Sequence, residues 1–317
     1  MANDKRKVVY SIVGSTCTYK TGIGIELSDK YSFEIISADS RLVYKGMDIG
    51  TSKPTMDERK NIPHYMIDLV EPGFDYSVSL YKTQSELAIN EIFLRGRTPL
   101  FVGGTGLYLN SVLLGLSVPE VKPDVSFRRQ LKEIPQEELY KRLEELDKKA
   151  TNIIHRNDNF RTVRALEVIY KTNKLFSKLK TISELPYDVV WIGLTYEDRD
   201  FHTELIKKRV FGFCANGLID EVKVLMSKYG ELDLFKRTIG YAEVIEFLKN
   251  RTSLEGMIEK ITLHTRQLIK RQMTWFRANK NIQWISLDGI SYKEALDKVF
   301  NLIDAGSLAN TSSASIS

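Results

Sequence analysis

The 317-residue chain has few of the residues that build cysteine- and histidine-based sites. Its two cysteines, Cys17 and Cys214, lie far apart with no CxxC spacing. That excludes a disulfide framework and a cysteine zinc finger. The four histidines form no cluster, so His64 and His155 read as satisfied structural residues. No uninterrupted run of about eighteen apolar residues occurs, and no apolar segment of signal-peptide length precedes Gly14. There is no internal repeat. A large net charge is missing too: the formal value of +5 is compatible with nucleic acid but also with many ordinary enzymes. A soluble, cytoplasmic, monomeric protein that does not engage membranes is expected.

What is present is an ordinary globular composition, 43% hydrophobic and 27% charged, enough for one large core and a smaller appendage. Val8–Val13 is a continuous apolar run ending at a glycine, as a buried parallel strand reads. Gly22–Tyr31 reads as a helix, and Phe33–Ala38 and Pro99–Val102 as further buried strands. Strand–helix alternation predicts an α/β fold with a parallel sheet flanked by helices, in which ligands sit at the carboxyl ends of the strands. From Pro119 to Pro186 the pattern turns helical: Glu137–Lys149 and Asn159–Lys171 carry apolar residues three and four apart. This predicts an all-helical insertion over 119–186, within a discontinuous core of 1–118 and 187–305. Val189–Leu194 returns to strand character, Glu204–Tyr229 reads as one long helix, and Gln283–Leu287 as a last strand. Residues 306–317 are small and polar and are expected to be a disordered tail. Trp191 and Trp284 read as core.

The chemistry begins at Gly14-Ser15-Thr16-Cys17-Thr18-Tyr19-Lys20-Thr21, which follows a strand and opens a helix. The pattern approximates the phosphate-binding loop G-x-x-x-x-G-K-[ST]. There, backbone N–H groups and a helix N-terminus surround phosphate oxygens, lysine adds charge and the last hydroxyl binds Mg²⁺. Tyr19 stands where that pattern has glycine, so its side chain must point out of the nest or fill it. Asp39 ends a strand beside this loop. On the residues alone it is a helix or turn cap, a holder of a Mg²⁺ water, or a general base. Cys17, inside the loop, reads as having no role of its own.

Further segments carry a resemblance. They are Ile35–Pro54 (IISADSRLVYKGMDIGTSKP), Pro63–Asp68, Gly103–Tyr108, Arg161–Val168, Gly240-Tyr241 and Thr265–Arg277. In this order the chain resembles the tRNA dimethylallyltransferase family, of the bacterial type, over nearly its whole length. The resemblance implies transfer of a dimethylallyl group from dimethylallyl diphosphate to N6 of the adenosine beside the anticodon of tRNA, with Mg²⁺. It implies Asp39 as the general base, and Arg209 with Lys20 and Thr21 at the diphosphate. Thr105 then orients the adenine or the diphosphate. It places Ser40, Arg41, Leu42, Arg128, Phe160, Arg161, Arg164, Arg237, Gly240, Tyr241, Lys270, Arg271, Gln272 and Arg277 at the tRNA, whose anticodon loop must release the target base into a pocket. The chain departs from the family at Tyr19, at Ser15 and Arg156 for prolines, and at Leu42 and Phe160 for glutamines. Two other readings stay open. One is a relative that prenylates free adenine nucleotides; the other is a tRNA-binding protein that has lost catalysis. A P-loop kinase is disfavoured for want of a lid-like arginine series.

Overall fold

A computed structural model describes residues 6–312 apart from 118, 120, 123 and 180. The chain divides into two units, Met1–Leu109 with Pro186–Ser317, and Asn110–Leu185. The second unit thus begins earlier than the Pro119 at which the helical character becomes legible.

The first unit is built on a six-stranded parallel sheet: β1 Lys7–Gly14, β2 Phe33–Ala38, β3 His64–Tyr65, β4 Thr98–Gly103, β5 Tyr187–Thr195 and β6 Ile282–Ser286. The spatial order is β3-β2-β4-β1-β5-β6. The early strands lie on one side of β1 and the late ones on the other, so the topology switches direction at β1, where a doubly wound sheet opens a crevice. The two-residue β3 gives no periodic signal and is not legible in the sequence. Helix α1, Lys20–Tyr31, lays Ile23 and Leu27 one turn apart against the sheet. Behind it, Tyr10, Ile12, Ile35, Leu100, Ile192 and Leu194 form the core with Val299 and Ile303 of the last helix. Trp191 is buried in β5, whereas Trp284 in β6 is only half-buried.

The remaining helices of this unit are α2 Val78–Leu94 and α3 Gly106–Leu113, along which the unit ends at Leu109. The second unit contains α4 Val125–Lys132, α5 Gln136–Leu146, α6 Lys148–Thr151, α7 Asn159–Thr172 and α8 Phe176–Leu179. The chain then returns to the first unit with α9 Arg199–Ala215, α10 Leu218–Tyr229, α11 Asp233–Lys236, α12 Tyr241–Leu248, α13 Leu254–Arg277 and α14 Tyr292–Ser312. The single helix expected over Glu204–Tyr229 is two, because Gly217 takes a φ of 94° that ends one helix and starts the next. The helix expected over Glu137–Lys149 breaks at Asp147, whose buried carboxylate accepts from Ala150 N–H and from the N–H and hydroxyl of Ser177. The tail expected from Gly306 instead continues α14 as far as Ser312; extending a helix already packed through Ala295, Val299 and Ile303 needs no new nucleus. The rest of that segment lies outside the described residues. Among the described residues no helix is long and apolar enough to cross a membrane.

In the second unit Leu131, Leu139, Leu143, Ile154, Ala165, Leu166 and Ile169 form a separate core. Its Leu116 and Ile182 join in an isolated antiparallel bridge, and Ser117 N–H donates to the Thr181 carbonyl.

Candidate active site

The turn Ser15–Tyr19 leaves the carboxyl end of β1 and enters α1, as the phosphate-loop pattern requires. Tyr19 caps α1 with no side-chain hydrogen bond. Among the described residues, no protein group accepts from the N–H groups of Cys17 to Thr21. These are the orphan donors that make a helix start an anion site. Within the loop, Thr18 Oγ1 donates to the Ser15 carbonyl at 2.7 Å, and Lys20 Nζ folds back onto the same carbonyl. Arg209, on α9, brings Nη1 to 4.0 Å from Cys17 Sγ and stacks on Phe213. Burial and, next, the neighbouring Arg209 charge pull the Lys20 ammonium down to about 8, against opposing contributions from Cys17 and Asp39. Two cations pressed together with little to neutralise them form a cradle suited to an anion.

A pH dependence follows. An anion such as pyrophosphate prefers the protonated lysine, so its affinity should be full below about pH 8 and weaken as pH rises through it. Calorimetric titrations with inorganic pyrophosphate between pH 7 and 9 check this. In Lys20→Met the affinity should be weak and flat over the same range.

Tyr19 resolves the choice posed by its sequence. Its backbone takes the left-handed conformation, φ 59°, that a glycine would adopt freely. Its ring is 39% exposed and leans edge-on to Tyr292 at 5.4 Å and to Tyr196 at 6.5 Å. With Phe201, Asp198 and Leu287–Ile290 it lines a cleft of about 300 Å³ beside the loop. The ring stands outside the nest. Tyr19→Gly should therefore change pyrophosphate affinity by no more than about threefold; tightening by tenfold would mean that the ring enters the cradle.

Asp39 and Thr105 end the neighbouring strands. β2 and β4 pair Ala38 with Gly103, and β4 pairs Gly103 with Val13 of β1, so three strand ends converge. Thr105 N–H donates to the Ala38 carbonyl at 2.9 Å, and Ser40 N–H donates to Thr105 Oγ1 at 3.1 Å. Asp39 accepts from Arg41 N–H at 2.8 Å, which caps the turn and fixes the carboxylate. No other hydrogen bond reaches that carboxylate among the described residues. Its charge is close enough to bias Lys20. Beneath lie Tyr81 and Tyr108, stacked at 3.8 Å, with Tyr81 Oη donating to the Ser37 carbonyl. A carboxylate thus stands two strands away from an anion cradle, across β4, an arrangement suited to a group transfer with an anionic leaving group.

Comparison with known proteins assigns this geometry to a family. Residues 42–279 match the IPP transferase family model and residues 7–69 the isopentenyl transferase model. A tRNA dimethylallyltransferase of Cyanothece sp. is 40% identical over 92% of this chain and 97% of its own length. The chain belongs to the tRNA dimethylallyltransferase family. Another member, from Pelotomaculum thermopropionicum, is 39% identical over 93% of this chain and 96% of its own. The fold is that of the full-length tRNA isopentenylpyrophosphate transferase of Bacillus halodurans, with TM-score 0.73 and 34% identity over 97% of this chain and 99% of that one. A eukaryotic dimethylallyltransferase, described as acting on tRNA, superposes with TM-score 0.79 at 27% identity over 94% of this chain and 80% of that one.

The residues that the family resemblance assigns to tRNA fall into distinct settings. On α13 of the first unit, Lys270, Arg271 and Arg277, with Arg266, are exposed and in no ion pair among the described residues. Met257, Ile261, Met273 and Phe276 anchor the opposite face. Arg237 is exposed beside Asp233, and its carbonyl receives Arg41 Nη2 at 3.5 Å; Ser40, Arg41 and Leu42 are half-buried. Three others are engaged within the protein. Tyr241 is fully buried, its hydroxyl donating to Glu221 at 2.6 Å. Gly240 is buried too, its N–H held by Glu243. Gln272 has both ends of its amide bonded within the protein, to Thr16 and Gly104.

In the second unit, Phe160 is 68% exposed at the start of α7, and Arg161 is exposed beside Asp158. Arg128 and Arg164 instead converge on the buried Glu167. Sequence reasoning missed Glu167 and three further polar anchors, because each is a single residue with no motif to show that it is buried and paired. Glu221 accepts from the N–H groups of Asp48, Ile49 and Gly50, and buried Lys53 is held by Asp48 and Asp68. The third is His202, buried beneath the phosphate loop.

Thr21 is exposed at the start of α1, and no group of three or more His, Cys, Asp or Glu side chains converges among the described residues. That donor set fits a Mg²⁺ that arrives with a diphosphate and keeps most of its waters.

Proposed function

We propose that the protein transfers a dimethylallyl group from dimethylallyl diphosphate to N6 of the adenosine adjacent to the anticodon in tRNA. The observation that carries this reading is the convergence of the anion cradle on β1 with Asp39 and Thr105 on β2 and β4. N6 of adenine is a weak nucleophile because its lone pair is delocalised into the ring. Asp39 takes the N6 proton as nitrogen bonds to the allylic carbon, and the carbon–oxygen bond to the diphosphate breaks. Lys20, Arg209 and the N–H groups of Cys17–Thr21 receive the charge of the departing diphosphate, and Thr105 holds the reacting groups in register. Thr21 Oγ1 would hold a Mg²⁺, which would supply positive charge to the departing diphosphate. The exposed cations of α13, with Phe160 and Arg161, serve the RNA backbone and the displaced loop.

Labelled isoprenoid diphosphate, anticodon stem–loop RNA and free AMP in one assay test this. Label is expected in the RNA and not in AMP. Transfer to AMP alone, or RNA binding without transfer, defeats the proposal.

A further inference from the structure

The turn between β1 and α1 holds two residues with side chains, Cys17 and Tyr19, at φ 62° and 59°. That conformation is disfavoured for any residue with a Cβ and persists only where its surroundings over-determine it. The surroundings act on Thr16. Its N–H donates to Gln272 Oε1 at 3.2 Å, and its carbonyl accepts from His202 Nε2 at 2.9 Å. A carbonyl can only accept, so Nε2 carries the proton in this bond. Gln272 Nε2 in turn donates to the Gly104 carbonyl at 3.1 Å, one residue before Thr105. A Cβ on Gly104 would come within 2.4 Å of that nitrogen, so the glycine is what admits the amide. Both peptide groups of Thr16 are thus pinned from outside the loop, by a buried histidine on α9 and a glutamine on α13.

We propose that His202 and Gln272 are positioning residues for the diphosphate cradle, an inference that rests on the transfer reaction proposed above. With Thr16 turned outward to these two side chains, the following N–H groups, from Cys17 to Thr21, are left facing the anion. The rigid loop that other phosphate sites obtain from glycine is here imposed by two distant side chains. Through Gly104 the same glutamine ties the cradle to the turn bearing Thr105, and so sets the spacing between leaving group and acceptor.

Steady-state transfer to anticodon stem–loop RNA tests this with His202→Leu, His202→Gln and Gln272→Met. His202→Leu and Gln272→Met should raise KM for the donor tenfold or more, with kcat, KM for RNA and melting temperature little changed. His202→Gln, whose amide N–H reaches the Thr16 carbonyl, should recover most of the loss. If His202→Leu does not fold, His202→Asn makes the same comparison, because it stays polar but stops short of Thr16. Unchanged donor KM in both disrupted variants overturns the inference. So does a rise in RNA KM alone for Gln272→Met, which would return that residue to the RNA. Absence of transfer by the wild type counts against the proposed reaction and not against the positioning; inorganic pyrophosphate binding, measured calorimetrically on the same variants, then decides the latter by the same tenfold criterion.

Discussion

Replacing Asp39 with asparagine should lower kcat for transfer by roughly 10²- to 10⁴-fold, the range that one positioned general base supplies. Asparagine keeps an oxygen to accept the Arg41 N–H, so the turn after β2 stays formed. What it loses is the ability to take a proton from N6. In the proposed reaction the loop after β1 holds the donor and many residues share the RNA, so both dissociation constants should stay within about threefold of wild type. Single-turnover transfer, with separate binding measurements for donor and RNA, checks each arm. A loss smaller than tenfold removes Asp39 from the proton transfer and leaves it only the turn it caps.

The second large effect is on stability. Glu167 is completely buried in α7 and accepts from Arg128 Nε and Nη2 at 2.9 and 2.7 Å, from Asp124 N–H at 2.7 Å, and from Arg164 Nη1. Arg164 also reaches the Val121 carbonyl at 2.8 Å, so one carboxylate gathers α4, α7 and the segment leading into α4. Removing one partner of a buried pair strands the other charges. The guanidiniums are partly exposed and can rehydrate, which sets Glu167→Ala at the lower end, about 3 kcal/mol. Chemical denaturation, with proteolysis to locate the change in the second unit, checks it; a loss below about 1 kcal/mol would mean that the arginines find other partners. Burial pushes the Glu167 carboxyl up, but the hydrogen bonds from Arg128, Asp124 and Arg164 outweigh it and hold it below the ordinary range. A depressed carboxyl stabilises above its unfolded pKa, so this contribution is present at neutral pH. It is lost as pH falls through 4.5 and below.

These two residues show where sequence reasoning reaches. Asp39 could be found because it ends a strand whose six residues are all buried, next to a loop of known chemistry. Strands β1, β2, β4 and β5 were legible for the same reason: parallel strands covered on both faces read as apolar runs. Glu167 could not be found, since an acidic residue on a helix reads as solvated until the packing shows it inside. The ion pairs of Arg128 and Arg164 were hidden in the same way: charge is visible in a sequence, and the neutralising partner is not. Nor does a tyrosine after a glycine carry any sign that it is wholly enclosed, as Tyr241 is. Tyr19 needed a backbone angle and the direction of a ring, neither of which a motif contains.

The stripe of Arg266, Lys270, Arg271 and Arg277 on α13 has no protein counter-charge among the described residues. In the absence of RNA such a row attracts small anions from the buffer, as the RNA phosphates attract small cations. If RNA meets the stripe as proposed, both sets of ions return to the bulk. Much of the attraction is then the entropy of released salt, and affinity becomes a property of the solution as much as of the two surfaces.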